Sequence, residues 1–158
     1  MWLVWLLNAT FQRSRLCLEV VVSSMKNQPA VILFDGVCNL CNGFVQFVIN
    51  HDSGGHFRFT SLQSEAGQKL LTQYGTTVTP TPETVVLIEQ GQVFTHSTAV
   101  LRILRGLGGA WQLLYVGILL PRALRDALYR FVARHRYQWF GQQESCMLPT
   151  PELAQRFL

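Results

Sequence analysis

Cysteine is scarce in this chain and regular cysteine spacing scarcer: Cys17, Cys38, Cys41 and Cys146 are the only four among 158 residues. They are too few and too unevenly placed for the framework of a small secreted disulfide scaffold. A second C-x-x-C and an H-x-x-x-H are both missing, so spacing provides at most half of a zinc or iron–sulfur ligand set. Long hydrophobic runs are missing too. The nearly all-apolar stretch "WQLLYVGILL" has 10 residues, well short of the ~20 that span a bilayer, and reads as a buried helix. The apolar opening Trp2 to Leu7 is shorter still and has no positive flank before it, as a secretory signal would.

Charge is thin at 14%, and acid is thinnest where base is densest. Arg102, Arg105, Arg122, Arg125, Arg130, Arg134 and Arg136 face a single acid, Asp126, which makes the C-terminal third a basic half-molecule. What the chain has in quantity is apolar side chain, 49% hydrophobic and 11% aromatic. That composition implies an ordered fold with some apolar surface left for a partner. The length suits one compact domain. Residues 1–27 read as a leader or a misassigned start outside the fold, since Met25 stands just ahead of a first strand, and Cys17 carries no role there. Residues 28–108 read as the domain proper and 109–158 as a helical extension packed on it.

The pattern along the chain supports that division. "AVILF" (30–34) is a short apolar run with β-branched members, as in a strand covered on both faces, and Asp35-Gly36 ends it. From Cys41 the apolar residues Phe44, Phe47 and Val48 recur at helical spacing until "HDSGG" closes the segment. "FRFT" (57–60) alternates as a strand. Ser64 offers an N-cap to "EAGQKLLTQY" and Gly75 a stop. "TVVLIE", "QG" and "QVFT" read as a hairpin, and Ser97 as the cap of a helix holding Val100, Leu101 and Leu104. Pro121 starts a last helix with Leu124, Leu128, Phe131 and Val132 on one face and Arg122, Arg125 and Asp126 on the other. The order β-α-β-α-β-β-α is that of a thioredoxin-like α/β domain, with C-x-x-C at its first strand–helix junction.

Disulfides are attacked by thiolates, not thiols, and the unpaired N–H groups and positive dipole end of a helix start favour an anion. Cys38 is therefore the candidate nucleophile and Cys41, one helical turn deeper, the resolving thiol. Asp35 has three readings: a carboxylate opposing a thiolate nearby, an acceptor for the Cys41 proton, or a shaper of the Asp-Gly turn through backbone N–H groups. Two rival readings stand beside the dithiol. One is a metal site completed by Cys146, His51, His56 or His135. The other is a basic interaction module, with the arginines, Tyr129, Tyr137 and Trp139 docking on a membrane-bound or acidic partner. Cys146 is a third redox thiol or a bystander. No nucleic-acid motif accompanies the charge.

The stretches "DGVCNLC", "FRFTSLQSEAG", "STAVLRIL" and "PRALRDALYRFVARHRYQWFG" resemble the DCC family of thiol-disulfide oxidoreductases, named for its D-x-x-C-x-x-C signature. The resemblance runs from about Ala30 to Pro149. It implies a thioredoxin-like fold and a dithiol that exchanges with protein or small-molecule thiols through a mixed disulfide. It also maps Asp35, Cys38 and Cys41 onto the signature positions. Electrons would come from a thiol donor with no tightly bound cofactor, in a reducing cytoplasm. Thioredoxins proper place a cis-proline before the strand facing the cysteines; here Glu83 holds that place, with Pro80 and Pro82 as candidates through a shifted register.

Overall fold

A computed structural model describes residues 29–75, 84–143 and 153–158. The β-branched run becomes strand β1 (Ala30–Phe34), and the segment holding the cysteines becomes helix α1 (Asn39–His51). Strand β2 (Phe57–Ser61) and helix α2 (Glu65–Gln73) follow, then the hairpin β3 (Val86–Glu89) and β4 (Gln92–Thr95). Helix α3 (His96–Leu107), a 3₁₀ helix (Gly109–Leu119) and helix α4 (Arg122–Phe140) complete the main body. The sheet order is β2-β1-β3-β4, with β1 parallel to β2 and antiparallel to β3. This is the thioredoxin-like α/β fold that the element order predicts.

β1 is central, which is why its run is apolar on both faces. On one side Ile32 and Phe34 pack with Val45 and Val48 of α1 and Ala99 and Ile103 of α3. On the other, Leu33 packs with Leu71 of α2, Val86 and Ile88. Burying each of the larger of these side chains stabilises the fold by roughly 1.5–3 kcal/mol. Ser64 caps α2 by accepting a hydrogen bond from the Gly67 N–H at 3.0 Å, and Gly75 takes a positive φ of 61° after the helix. At the C-terminus Phe157 packs against Phe34 and Phe59, and the Leu158 N–H donates to the Phe59 carbonyl at the β2 edge.

Three expectations need correction. Thr95, not Ser97, stands at the N-cap of α3, and the Ser97 hydroxyl instead donates to Asp126. The run 111–120 is not a buried helix. It forms most of an 11-residue 3₁₀ helix in which no residue is buried, and Leu113 and Leu119 are 72% and 80% exposed. A run apolar all round cannot turn every side chain onto α3, so the remainder faces outward. The third correction concerns α4, whose polar and small side chains face the domain. Asp126, Ala133 and Arg136 are buried, while Leu124, Leu128, Phe131 and Val132 are exposed. The reason lies in what α4 meets. It docks over polar groups left by other elements: the Asp35 carboxylate, the Ser97 hydroxyl and the Val85 N–H, which donates to the Tyr129 hydroxyl at 2.9 Å. Buried polar groups need hydrogen-bond partners, so that polar face is the one drawn inward.

Candidate functional site

The site forms where β1 ends. After Phe34 the chain turns through Asp35-Gly36, and the Val37 N–H donates to Asp35 Oδ1 at 3.3 Å. This Asx-type bond sets the direction of the turn. Asn42 Nδ2, one turn into α1, donates to the Gly36 carbonyl at 3.0 Å and ties the turn to the helix. Cys38 is the N-cap residue of α1, with extended backbone angles and no side-chain capping bond. Its carbonyl accepts from the Asn42 N–H at 2.9 Å. Cys41 follows within the first turn, and Cys38 is near enough to raise its pKa. Both cysteines are unbridged and buried.

Asp35 is buried at 1% exposure and fully engaged. Oδ1 also accepts from Gln63 Nε2 at 2.8 Å. Oδ2 accepts from the Tyr137 hydroxyl and, at 2.7 Å, from Arg136 Nη2. Arg136, itself 2% exposed, turns its other terminal nitrogen to Cys41: Nη1 donates to Sγ at 3.3 Å. One guanidinium thus bridges the carboxylate and the inner sulfur, a geometry that its planar fork allows and an ammonium would not. Of the three readings of Asp35, turn shaping is visible in the Val37 bond. The carboxylate is also the counter-ion that holds Arg136.

The electrostatics follow from this burial. Desolvation pushes the Cys41 thiol up to about 12; the Arg136 guanidinium opposes that rise, and Cys38 and then Asp35 add to it. Burial likewise lifts the Tyr137 phenol to about 12, helped by its bond to Asp35. Tyr129 is raised to about 12 by burial as well. For Arg136 burial acts against the charge, yet the Cys41 and Cys38 sulfurs and Tyr137 hold it more firmly protonated than usual.

A strap closes the site. Beyond α4, Gln142 forms an antiparallel bridge with Cys38, and the Gln143 N–H donates to the Val37 carbonyl at 2.8 Å. Asn39 Nδ2 donates to the Phe140 carbonyl at 2.9 Å. Beside the inner thiol lies an apolar cavity of about 180 Å³, lined by Cys41, Leu40, Phe44, Tyr129, Val132 and Arg136 among others.

The structure brings Asp35, Cys38 and Cys41 together and leaves the histidines apart. His51 ends α1 against Trp111, His56 lies beside Phe57, His96 beside Tyr129, and His135 stacks on Trp139. Among the described residues no three His, Cys, Asp or Glu side chains gather as a metal site. Cys17, Cys146, Pro80, Pro82 and Glu83 lie outside the described residues, as does the segment 1–27. Sequence reasoning missed Arg136, Tyr137 and Gln63 as partners of the motif. Arg136 had one available signal: it stands three and seven residues after Ala133 and Tyr129, on the same helix face, rather than with the exposed arginines.

Comparison with known proteins identifies a family for the chain. The family model described as DCC1-like thiol-disulfide oxidoreductase matches residues 32–142. The uncharacterized protein YuxK of Bacillus subtilis is 51% identical over 130 residues, 81% of this chain and 93% of its own length. A DCC family protein of Arabidopsis thaliana, described as chloroplastic, is 44% identical over 124 residues, 78% of this chain and 72% of its own. No solved structure matches the chain.

Proposed function

The chain belongs to the DCC1-like thiol-disulfide oxidoreductase family, and on that premise we propose that it exchanges disulfides through Cys38 and Cys41 with protein or small-molecule thiols. The observation that carries the reading is the asymmetry of the pair. Cys38 sits at the N-cap of α1, where unpaired backbone N–H groups favour an anion. Cys41, inside the first turn, is held as a thiol by burial, while Arg136 Nη1 donates to its sulfur.

In the first step the Cys38 thiolate attacks one sulfur of a substrate disulfide. A Cys38–substrate disulfide forms and the other substrate sulfur leaves as a thiolate, which takes up a proton. In the second step Cys41 loses its proton and attacks the Cys38 sulfur. The Cys38–Cys41 disulfide forms and the second substrate thiol is released, so two electrons pass from the dithiol to the substrate. A thiol donor then reduces the pair by the same exchange reversed. Arg136 supports the second step, because charge develops on Cys41 Sγ within reach of its Nη1. Asp35 acts as a positioning residue that holds Arg136 and the turn. The substrate reaches Cys38 when the strap at residues 140–143 releases Val37 and Asn39. A reductase fed by a thiol donor suits a reducing compartment such as the cytoplasm.

The test is equilibration in glutathione buffers of graded potential, with alkylation of free thiols and mass spectrometry of each cysteine. A two-electron transition that joins Cys38 to Cys41 is expected. Thiols that neither pair nor exchange, or that stay shielded until a chelator is added, refute the reading.

A further inference from the structure

The outward side of α4 carries what a surface helix ordinarily hides. Leu124, Leu128, Phe131 and Trp139 follow at spacings of four, three and eight residues, which sets them on one stripe. They are 51%, 59%, 53% and 55% exposed. His135 completes the row, its ring 4.7 Å from that of Phe131 and 5.3 Å from that of Trp139. The stripe runs back along the chain into exposed Leu119 and Leu120, just before α4 begins. A monomeric protein rarely leaves so many large apolar side chains in water without a partner for them.

The charges beside the stripe say what kind of partner fits. Arg130 and Arg134 are exposed on its flank, and among the described residues neither forms an ion pair. The one acid of α4, Asp126, is buried, and hydrogen bonds from Ser97 and Arg122 hold its carboxyl below the usual range against the cost of that burial. The exposed side of α4 therefore carries no acid, and apart from Gln138 its exposed residues are apolar or cationic. A second copy of the chain would set these arginines against their own kind. An anionic bilayer offers acyl depth to the leucines and rings and phosphate to the arginines at one boundary, where tryptophan is also favoured. No described helix is long and apolar enough to cross a membrane.

We propose that the outward face of α4, continued by Leu119 and Leu120, seats this protein on the surface of an anionic phospholipid bilayer. The contact is independent of the thiol chemistry, because Arg136 and Asp126 face the other way.

The test is sedimentation of the full chain with vesicles of phosphatidylcholine alone or mixed with phosphatidylglycerol, with tryptophan emission as a second readout. Binding is expected only when phosphatidylglycerol is present, with a blue shift from Trp139. Leu128→Glu and Phe131→Glu are each expected to weaken it about tenfold. The Arg130→Gln/Arg134→Gln pair is expected to weaken it about thirtyfold and to flatten its salt dependence. Circular dichroism and the alkylation rate of Cys38 should be unchanged in all of them. Three results would overturn the proposal: no binding to either vesicle, binding that the glutamates leave intact, or a lipid-free dimer that the same glutamates dissociate.

Discussion

Replacing Arg136 by methionine removes the one side chain among the described residues that hydrogen-bonds both Asp35 and Cys41, with consequences for stability and for rate. At an effective dielectric constant of about 20, a 2.7 Å contact between unit charges is worth about 6 kcal/mol of attraction, much of it offset by desolvation. Breaking one side of such a buried pair costs about 3–5 kcal/mol, because a charge stays behind uncompensated. Tyr137 and Gln63 still donate to that carboxylate, which places the expected loss near the lower end. Urea unfolding at neutral pH should read it, and the melting temperature should fall by roughly 6–12 °C. Asp35→Asn combined with Arg136→Met should recover at least half of the loss, since the orphaned charge is gone. The kinetic consequence is separate. A hydrogen bond to a charged group contributes about 1.5–3 kcal/mol, so resolution of the Cys38 mixed disulfide should slow by roughly 10- to 150-fold. The initial attack by Cys38 should change little. Arg136→Lys should restore one contact but not both, and so rescue only in part. A methionine variant as stable as its parent, or one that resolves the mixed disulfide at the parent rate, would refute this account.

Cys41 and Tyr129 keep their protons to about 12 in the fold, against ordinary values of 9.0 and 10.0. Above pH ~9 the unfolded chain therefore binds fewer protons than the folded one, so stability should fall as pH rises toward ~12. The fall should be about 1.4 kcal/mol per pH unit from Cys41 alone, and thermal melts of Cys41→Ser should show its onset moved to higher pH. Asn39→Ala removes the hydrogen bond to the Phe140 carbonyl. Loosening the strap in this way should raise the alkylation rate of Cys38 about fivefold and speed hydrogen exchange at the Gln143 amide; an unchanged rate would mean that the strap does not limit access. Gly106→Ala would put a methyl 2.5 Å from the Phe57 ring. It should therefore destabilise by about 1–3 kcal/mol in denaturant melts, where an unobstructed helix glycine would gain up to ~1 kcal/mol.

The sheet and the cysteine turn were legible because their signals are local. The β-branched run of β1, the period change after Cys41 and the Ser64 cap each lie within a few residues, and each formed as read. The partners of the motif were not legible. Arg136 meets Asp35 across 101 residues of chain, and its place on the Tyr129 and Ala133 face of the helix sets it apart from the exposed Arg130 and Arg134 without naming what it meets. Periodicity reported two faces of α4 correctly but could not say which one meets the domain.

By itself, then, the amino-acid order determined the α/β element order, the place of Cys38 and Cys41 at the first strand–helix junction, and the family signature they share with Asp35. Each of these depends on neighbours in sequence and on backbone preferences that neighbours set. Tertiary structure decided the rest: the burial of both thiols, the guanidinium that bridges Asp35 and Cys41, and the outward turn of an apolar helix face. These depend on which buried polar groups the fold leaves without partners. A distant helix supplies Arg136 and Tyr129 to satisfy them, and its leucines are then left facing out.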